Sequence, residues 1–292
     1  GENPHQEARL LGDPELPCGC EQLHGKALSY NNLVDLDAAL CLIEEFDGET
    51  AVAILKHTNP CGVARLASGS MAETFDAALA CDPVSAFGGI VACSQEVDLE
   101  AAESMAKIFL EVIVAPSFSE AALERLGRKK NLRLMLRRSD FDGSARMRSV
   151  QHGMLIQDSD VGAQETRKVA SERSPSEAET QAMELAWKVC KHVKSNAIVF
   201  ANAEQVVGVG AGQMSRVDAA ELAIKRCKLD LQGTVVGSDA FFPFRDGLDV
   251  CAAAGACAVI QPGGSMRDDE VVAAADEHGM AMVFTGTRHF RH

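Results

Sequence analysis

The chain has 292 residues, 47% of them apolar, and a formal net charge of −14. That length and apolar fraction suit a globular protein of about two domains. The acidic balance excludes non-specific nucleic-acid binding, which needs a basic surface, and no apolar run reaches the roughly 18 residues that span a bilayer.

The opening GENPHQEARL is polar from its first residue and is no signal peptide. Without an initiator Met, it reads as part of a longer polypeptide. The ten cysteines, at 18, 20, 41, 61, 81, 93, 190, 227, 251 and 257, are scattered. Cys41, Cys93, Cys190 and Cys257 lie in apolar contexts, where a free thiol packs as a small hydrophobe. A disulfide framework is not expected in a chain this long without a secretory signal, and the cytoplasm is the natural compartment.

In chain order, SYNNLVDLDAALCLIEEF has helical periodicity, with Leu36, Ala39, Leu40 and Ile43 on one face. Ala51 to Leu55 read as a buried strand. SMAETFDAALAC is a second helix, ended by Asp82-Pro83, and GGIVACS a short strand. LEAAESMAKIF then reads as a helix, EVIVAP as a strand, SEAALERLGRKK as a helix and LRLML as a strand. The polar stretch 158–176 is the candidate linker. Ser176 has an N-cap signature for the helix that follows it. AIVFANAEQVVGVG reads as two strands around a tight Asn-Ala-Glu-Gln turn. RVDAAELAIKRC is a helix, AAAGACAVIQPGG ends in a strand and turn, DDEVVAAADEHG is a helix, and MAMVFTG the last strand. This alternation predicts α/β layers with a mostly parallel sheet. Two echoes suggest a repeat. Lys56-His57 and Lys194-Ser195-Asn196 each put polar groups at a strand edge. SAFGG at 85–89 is echoed by SDAFFPF at 238–244. The expected organisation is two related units, 1–165 and 166–292.

Several clusters carry chemistry. Lys56 and His57 end a core strand with adjacent basic groups. The plain reading is a solvated strand end. The sharper one is a pocket rim, where a neutral imidazole accepts a proton and an ammonium stabilises developing negative charge. VGVGAGQMSR at 207–216 has glycines as G-x-G-x-G, with Gln213 where a dinucleotide site needs the third glycine. It reads as a tight turn presenting Gln213 and Arg216 to a ligand. SDAFFPFRDG is a packed loop by default. Functionally it is a hydrophobic wall for a flat heterocycle, bracketed by Asp239, Arg245 and Asp246. The terminal TRHFRH is either a frayed tail or a cationic cap for a phosphate. The segments HQE at 5–7 and PCGC at 17–20 only loosely match the zinc-deaminase signature, because the cysteines are spaced C-x-C.

Together, NPHQ, LSYNNLVDLDAA, LKHTNPCG, DPVSAFGG, EVIVAP, KSNAIV, GVGAGQMSR, SDAFFPFRDG and RHFRH resemble one family from end to end. It is the transformylase half of the bifunctional aminoimidazole carboxamide ribonucleotide (AICAR) transformylase/IMP cyclohydrolase. The resemblance implies two cytidine-deaminase-like three-layer α/β/α units in tandem, without catalytic zinc. It also implies a homodimer with interface-shared sites, acting on a nucleotide and a folate rather than on nucleic acid or membrane. The implied activity is transfer of the formyl group of 10-formyltetrahydrofolate to AICAR. Lys56, His57 and Asn196 would be catalytic. Gly88, Glu111, Asn196, Arg216, Phe241, Arg288 and His292 would contact AICAR. Val217, Asp246, Ser265 and Met266 would border the folate, with Phe87 and Phe244 as walls, and a K+ ion would sit near Asp239. The family has Arg-Tyr just before the segment where this chain starts, and a preceding cyclohydrolase domain, so ring closure to IMP is not expected of this chain alone. The rival readings are a zinc-dependent nucleobase deaminase and a noncatalytic nucleotide-binding module.

Overall fold

The computed structural model describes residues 1–138, 145–161 and 165–292. Three helices start on a capping box: the side chains of Ser29, Ser70 and Ser176 accept from the amides of Asn32, Glu73 and Glu179, whose own side chains reach back. Each cap contributes about 1 kcal/mol and fixes where its helix begins.

The first unit runs β1 (Cys20–His24), α1 (Tyr30–Ile43), β2 (Ala51–Lys56), β3 (Asn59–Arg65), α2 (Met71–Cys81), β4 (Gly89–Cys93), α3 (Leu99–Met105), β5 (Leu110–Ala115), α4 (Glu120–Gly127) and β6 (Arg133–Arg137). A separate hairpin follows, β7 (Arg146–Val150) with β8 (Gly153–Gln157). The second unit runs β9 (Lys168–Val169), α5 (Glu177–Cys190), β10 (Ile198–Ala201), β11 (Val206–Gly210), α6 (Arg216–Arg226), β12 (Val235–Ser238), α7 (Asp246–Ala253), β13 (Ala258–Gln261), α8 (Asp268–Glu277) and β14 (Ala281–Phe284).

The sheet orders are β1-β6-β5-β4-β2-β3 and β11-β10-β12-β13-β14-β9. Element for element the two units are the same: an edge strand, a helix, a hairpin, then three helix–strand steps. The chain is therefore a tandem pair of α/β units. The sheets are mixed rather than mostly parallel. The β4-β5-β6 and β12-β13-β14 pairings are parallel, and the rest antiparallel. The short turns at 57–58 and 202–205 dictate this, since a tight turn can only join antiparallel neighbours.

The topology also corrects the sequence echoes. Lys56-His57 end β2, whereas Lys194–Asn196 precede β10, the counterpart of β2. Likewise SAFGG precedes β4, while SDAFF follows β12. The local likeness does not mark equivalent positions. The 158–176 stretch is no plain linker either. Its residues 168–169 form β9 against β14, and residues 162–164 lie outside the described residues.

Strand alternation divides the cores. Ala51, Ala53 and Leu55 of β2 join α1 in a cluster that continues through α5 into the second sheet. Val52 and Ile54 face α2, α3 and α4. The outer face of the second sheet packs against α6, α7 and α8 around Phe200 and Phe242. The two sheets meet at their edge strands β3 and β11, where Ala64 bridges Gln205 and Arg65 N donates to Glu204 O at 2.7 Å. Pro60 is tolerated because β3 is an edge strand. Among the described residues, no helix is long and apolar enough to cross a membrane.

Candidate active site

At their other end β3 and β11 part, and the β2–β3 hairpin tip stands at the opening. Lys56 Nζ donates to Gly88 O at 2.8 Å. Gly88 has φ +70°, and a Cβ there would lie 3.0 Å from Lys56 Nζ, so glycine suits the backbone and leaves the ammonium uncrowded. His57 is exposed. It and Thr58 form the turn, with φ of +51° and +63°. Thr58 N donates to Asp35 Oδ1 at 2.7 Å, and Asn59 Nδ2 to His57 O at 3.1 Å. Burial raises the Asp35 carboxyl; the Thr58 hydrogen bond and the charges of His57 and Lys56 work against this, Glu111 adds to it, and the net direction is up. Glu111 itself accepts from Asn32 Nδ2 at 2.8 Å and faces Arg133 at 3.9 Å.

The second unit supplies a buried polar cluster. Arg216, first residue of α6, donates to Ser238 Oγ (2.7 Å), Asp239 Oδ1 (2.6 Å) and Asn196 Oδ1 (2.7 Å). Asp239 is completely buried; it also accepts from Ala197 N at 3.1 Å and from the Ser195 hydroxyl. Asn196 Nδ2 donates to Gln213 O at 2.9 Å. Arg216 is therefore not a free cation at the surface, and Asn196 is held at both ends of its amide. The hairpin tip and this cluster are linked: Lys194 N donates to Asn59 Oδ1 at 3.0 Å, and Gln213 lines a cleft with Lys56 and His57.

That cleft, of about 380 Å3, runs between α2 and α6 and is floored by β3 and β11 residues, with Asp82, Ser85 and Arg226 at its far end. Cys61, Cys81 and Cys227 also line it. Burial pushes the Cys61 thiol up to about 12 and raises Cys81 and Cys227 as well. None of these thiols is a thiolate nucleophile near neutral pH.

The remaining predicted residues fall into two groups. Val217 and Asp246 lie in the first turns of α6 and α7, which pack together. Phe244 is exposed under the Arg267 guanidinium, 4.8 Å from its ring, next to Ser265 and a fully exposed Met266. FFPF thus divides, with Phe242 wholly buried, Phe241 half-buried and Phe244 outward. Phe87, 60% exposed, instead packs on Phe109 of the first unit, with centroids 5.3 Å apart. The two expected folate walls, Phe87 and Phe244, stand on different units.

The C-terminal tail is bonded rather than frayed. Ser195 N donates to Arg291 O at 2.9 Å and Arg291 N to Ser195 Oγ at 3.1 Å, so the tail is tied to Ser195 one residue before His292, whose ring lies 5.4 Å from that of Phe290. Arg288 lies over the Phe290 ring at 4.5 Å. His5 and Glu7 are exposed in the N-terminal lead, while burial raises the Cys18 and Cys20 thiols to about 11 and about 12. Among the described residues, no group of three His, Cys, Asp or Glu side chains is placed to hold a metal ion.

Residues 1–226 match the family model described as AICARFT/IMPCHase bienzyme. The chain belongs to that family. Among its curated relatives are three proteins named bifunctional purine biosynthesis protein PurH. Those of Rhodospirillum rubrum, Halalkalibacterium halodurans and Chlorobium phaeobacteroides are 54%, 52% and 50% identical to it, over 310, 300 and 305 residues respectively. Each match covers 100% of this chain and 58% of the relative, so the chain spans little more than half their length.

Within this member of the AICARFT/IMPCHase family, two residues of the site escaped sequence reasoning. Asp35 and Asn59 hold the His57 turn from α1 and from β3. Asn59 had a faint signal, as an Asn directly after two residues that form a turn. Asp35 had none, being a polar position on a helix 23 residues from its partner.

Proposed function

We propose that this chain transfers the formyl group of 10-formyltetrahydrofolate to the 5-amino group of AICAR, giving formyl-AICAR and tetrahydrofolate in purine (IMP) biosynthesis. The observation that carries the reading is the hairpin tip: an anchored Lys56 and an exposed His57 at a cleft shared by both units, in a chain of this family.

The AICAR amine is a poor nucleophile, because its lone pair is drawn into the ring and carboxamide. Its attack on the formyl carbon needs a proton acceptor, and His57 takes that role. The Lys56 ammonium spends one proton on Gly88 O and has two left for the tetrahedral oxyanion or for the departing folate nitrogen. The C–N bond to the folate then breaks as that nitrogen is protonated. Asn196, fixed by Arg216 and Gln213, orients the carboxamide with its remaining amide proton and lone pair. Arg216 acts chiefly through Asn196. Gly88, Glu111, Phe241, Arg288 and His292 are assigned to the nucleotide. Val217, Asp246, Ser265, Met266, Phe87 and Phe244 are assigned to the folate.

The working form is proposed to be a homodimer. The β7–β8 hairpin exposes Met147, Met154, Leu155 and Ile156, and an isolated hairpin is marginal in water unless something covers it. A second copy would also let walls on different units close on one folate. The Asp239 carboxylate oxygens are taken by Arg216, Ser195 and Ala197, so a K+ ion beside Asp239 would rest on neutral oxygens instead. Ring closure to IMP is assigned to the part of the relatives beyond this chain, and the cytoplasm is the compartment that suits ten free cysteines.

The test follows tetrahydrofolate release by absorbance with both substrates present. Turnover that requires both, with formyl-AICAR as product, is expected. Ammonia release, or nucleotide binding without turnover both in this chain and in one extended upstream by Arg-Tyr, would overturn the reading.

A further inference from the structure

The hairpin tip is built from residues that resist its shape. Two-residue hairpin turns with positive φ at both positions favour Asn-Gly or Gly-Gly. Here the pair is His57 and Thr58, and a β-branched residue is especially disfavoured in the left-handed region. The Thr58 hydroxyl and Asn59 Nδ2 both donate to His57 O, at 2.7 and 3.1 Å, but these bonds stay within the hairpin. Two contacts tie the tip to the body: Asn59 accepts from Lys194 N in the second unit, and Asp35 of α1 accepts from Thr58 N at 2.7 Å.

We infer that Asp35 is a positioning residue for the proposed formyl transfer: its carboxylate clamps the Thr58 amide and so holds the turn that carries His57 at the end of β2, next to Lys56. The inference rests on that functional reading, and the charged groups facing Asp35 fit it. They are Lys56 and His57 of the pair it holds, with Glu111 opposed and itself engaged by Asn32 and Arg133. The clamp is a hydrogen-bond acceptor in the right place, so an amide oxygen should serve where a methyl cannot.

Asp35→Ala, Asp35→Asn and the double variant Asp35→Ala/Thr58→Gly test this by two readouts, hydrogen exchange at the Thr58 amide and steady-state kinetics. Asp35→Ala should speed that exchange and lower kcat, each by about tenfold or more, with the KM for AICAR within about threefold of the parent. Asp35→Asn should keep the amide protected and most of kcat. Thr58→Gly should restore kcat in the Asp35→Ala background, because glycine takes positive φ without a clamp. Unchanged exchange and kcat in Asp35→Ala would overturn the inference. So would an Asp35→Asn variant as impaired as Asp35→Ala, or a folded double variant, checked by circular dichroism, that shows no recovery. No turnover from the parent chain, with or without Arg-Tyr restored upstream, would sink the functional reading instead, while the exchange data would still judge the clamp.

Discussion

Replacing Arg216 by Met keeps the length of the side chain and removes its charge and all three of its hydrogen bonds. Those bonds, at 2.6–2.7 Å, run to Asp239, Ser238 and Asn196 in a site where Asp239 is wholly buried. The Ser195 hydroxyl and Ala197 N remain as donors to Asp239, but neither carries a balancing charge. Breaking a buried pair on one side costs about 3–5 kcal/mol, because it strands the partner charge. At roughly 2–4 °C per kcal/mol, melting should fall by about 6–20 °C. Adding Asp239→Asn removes the stranded charge and leaves an amide that still accepts from Ala197 N. The double variant should recover more than half of the loss. Thermal unfolding followed by circular dichroism reads all three proteins. A fall of less than about 2 °C in Arg216→Met, or a double variant no more stable than the single, would refute the reasoning.

Other outcomes follow from the same geometry. Gly88→Ala puts a Cβ 3.0 Å from Lys56 Nζ and 3.4 Å from the Phe109 ring at φ +70°. It should cost about 1–2 kcal/mol in unfolding experiments and roughly tenfold or more in turnover through the displaced ammonium. Burial alone would lower the pKa of His289, but hydrogen bonds with Asp160 (2.7 Å) and Glu165 (3.3 Å) raise it on balance. A raised imidazole stabilises the fold fully below the unfolded value of about 6.5, and that contribution is lost as pH rises through the folded value. The melting gap between the parent and His289→Gln should therefore be wider at pH 6 than at pH 9. Finally, if the proposed homodimer is built on the exposed β7–β8 hairpin, Ile156→Glu should lower the mass seen in light scattering from two chains to one and reduce turnover with it.

The helices α1, α2 and α5 were legible because Ser with Asn or Glu three residues on states both where a helix begins and which amides are capped. The strand β3 was not. Asn59-Pro60 reads as punctuation, and only the edge position of the strand makes that proline harmless. Helix α3 ended at Met105, short of its apolar pattern, and β1, β12 and α7 are short elements whose packing, not periodicity, decides them. In the site, Lys56-His57 stood out because basic groups at the end of a buried strand are chemically conspicuous. Arg216, after a glycine-rich turn, read as ligand-facing, and its bond to a carboxylate 23 residues on, which buries it, had no signal in the sequence. The tail stayed open between a frayed end and a cationic cap, since its bonds to Ser195 and Asp160 join segments about 100 residues apart or more.

The central claim meets its most direct test in the turnover of AICAR with 10-formyltetrahydrofolate by the parent chain and by His57→Ala. The assay is paired with calorimetric AICAR binding, and is repeated on a chain extended upstream by Arg-Tyr. The account predicts that His57→Ala loses about 10²–10⁴-fold in kcat while nucleotide binding persists. Turnover unchanged in His57→Ala, or none from either parent chain despite bound nucleotide, would contradict it.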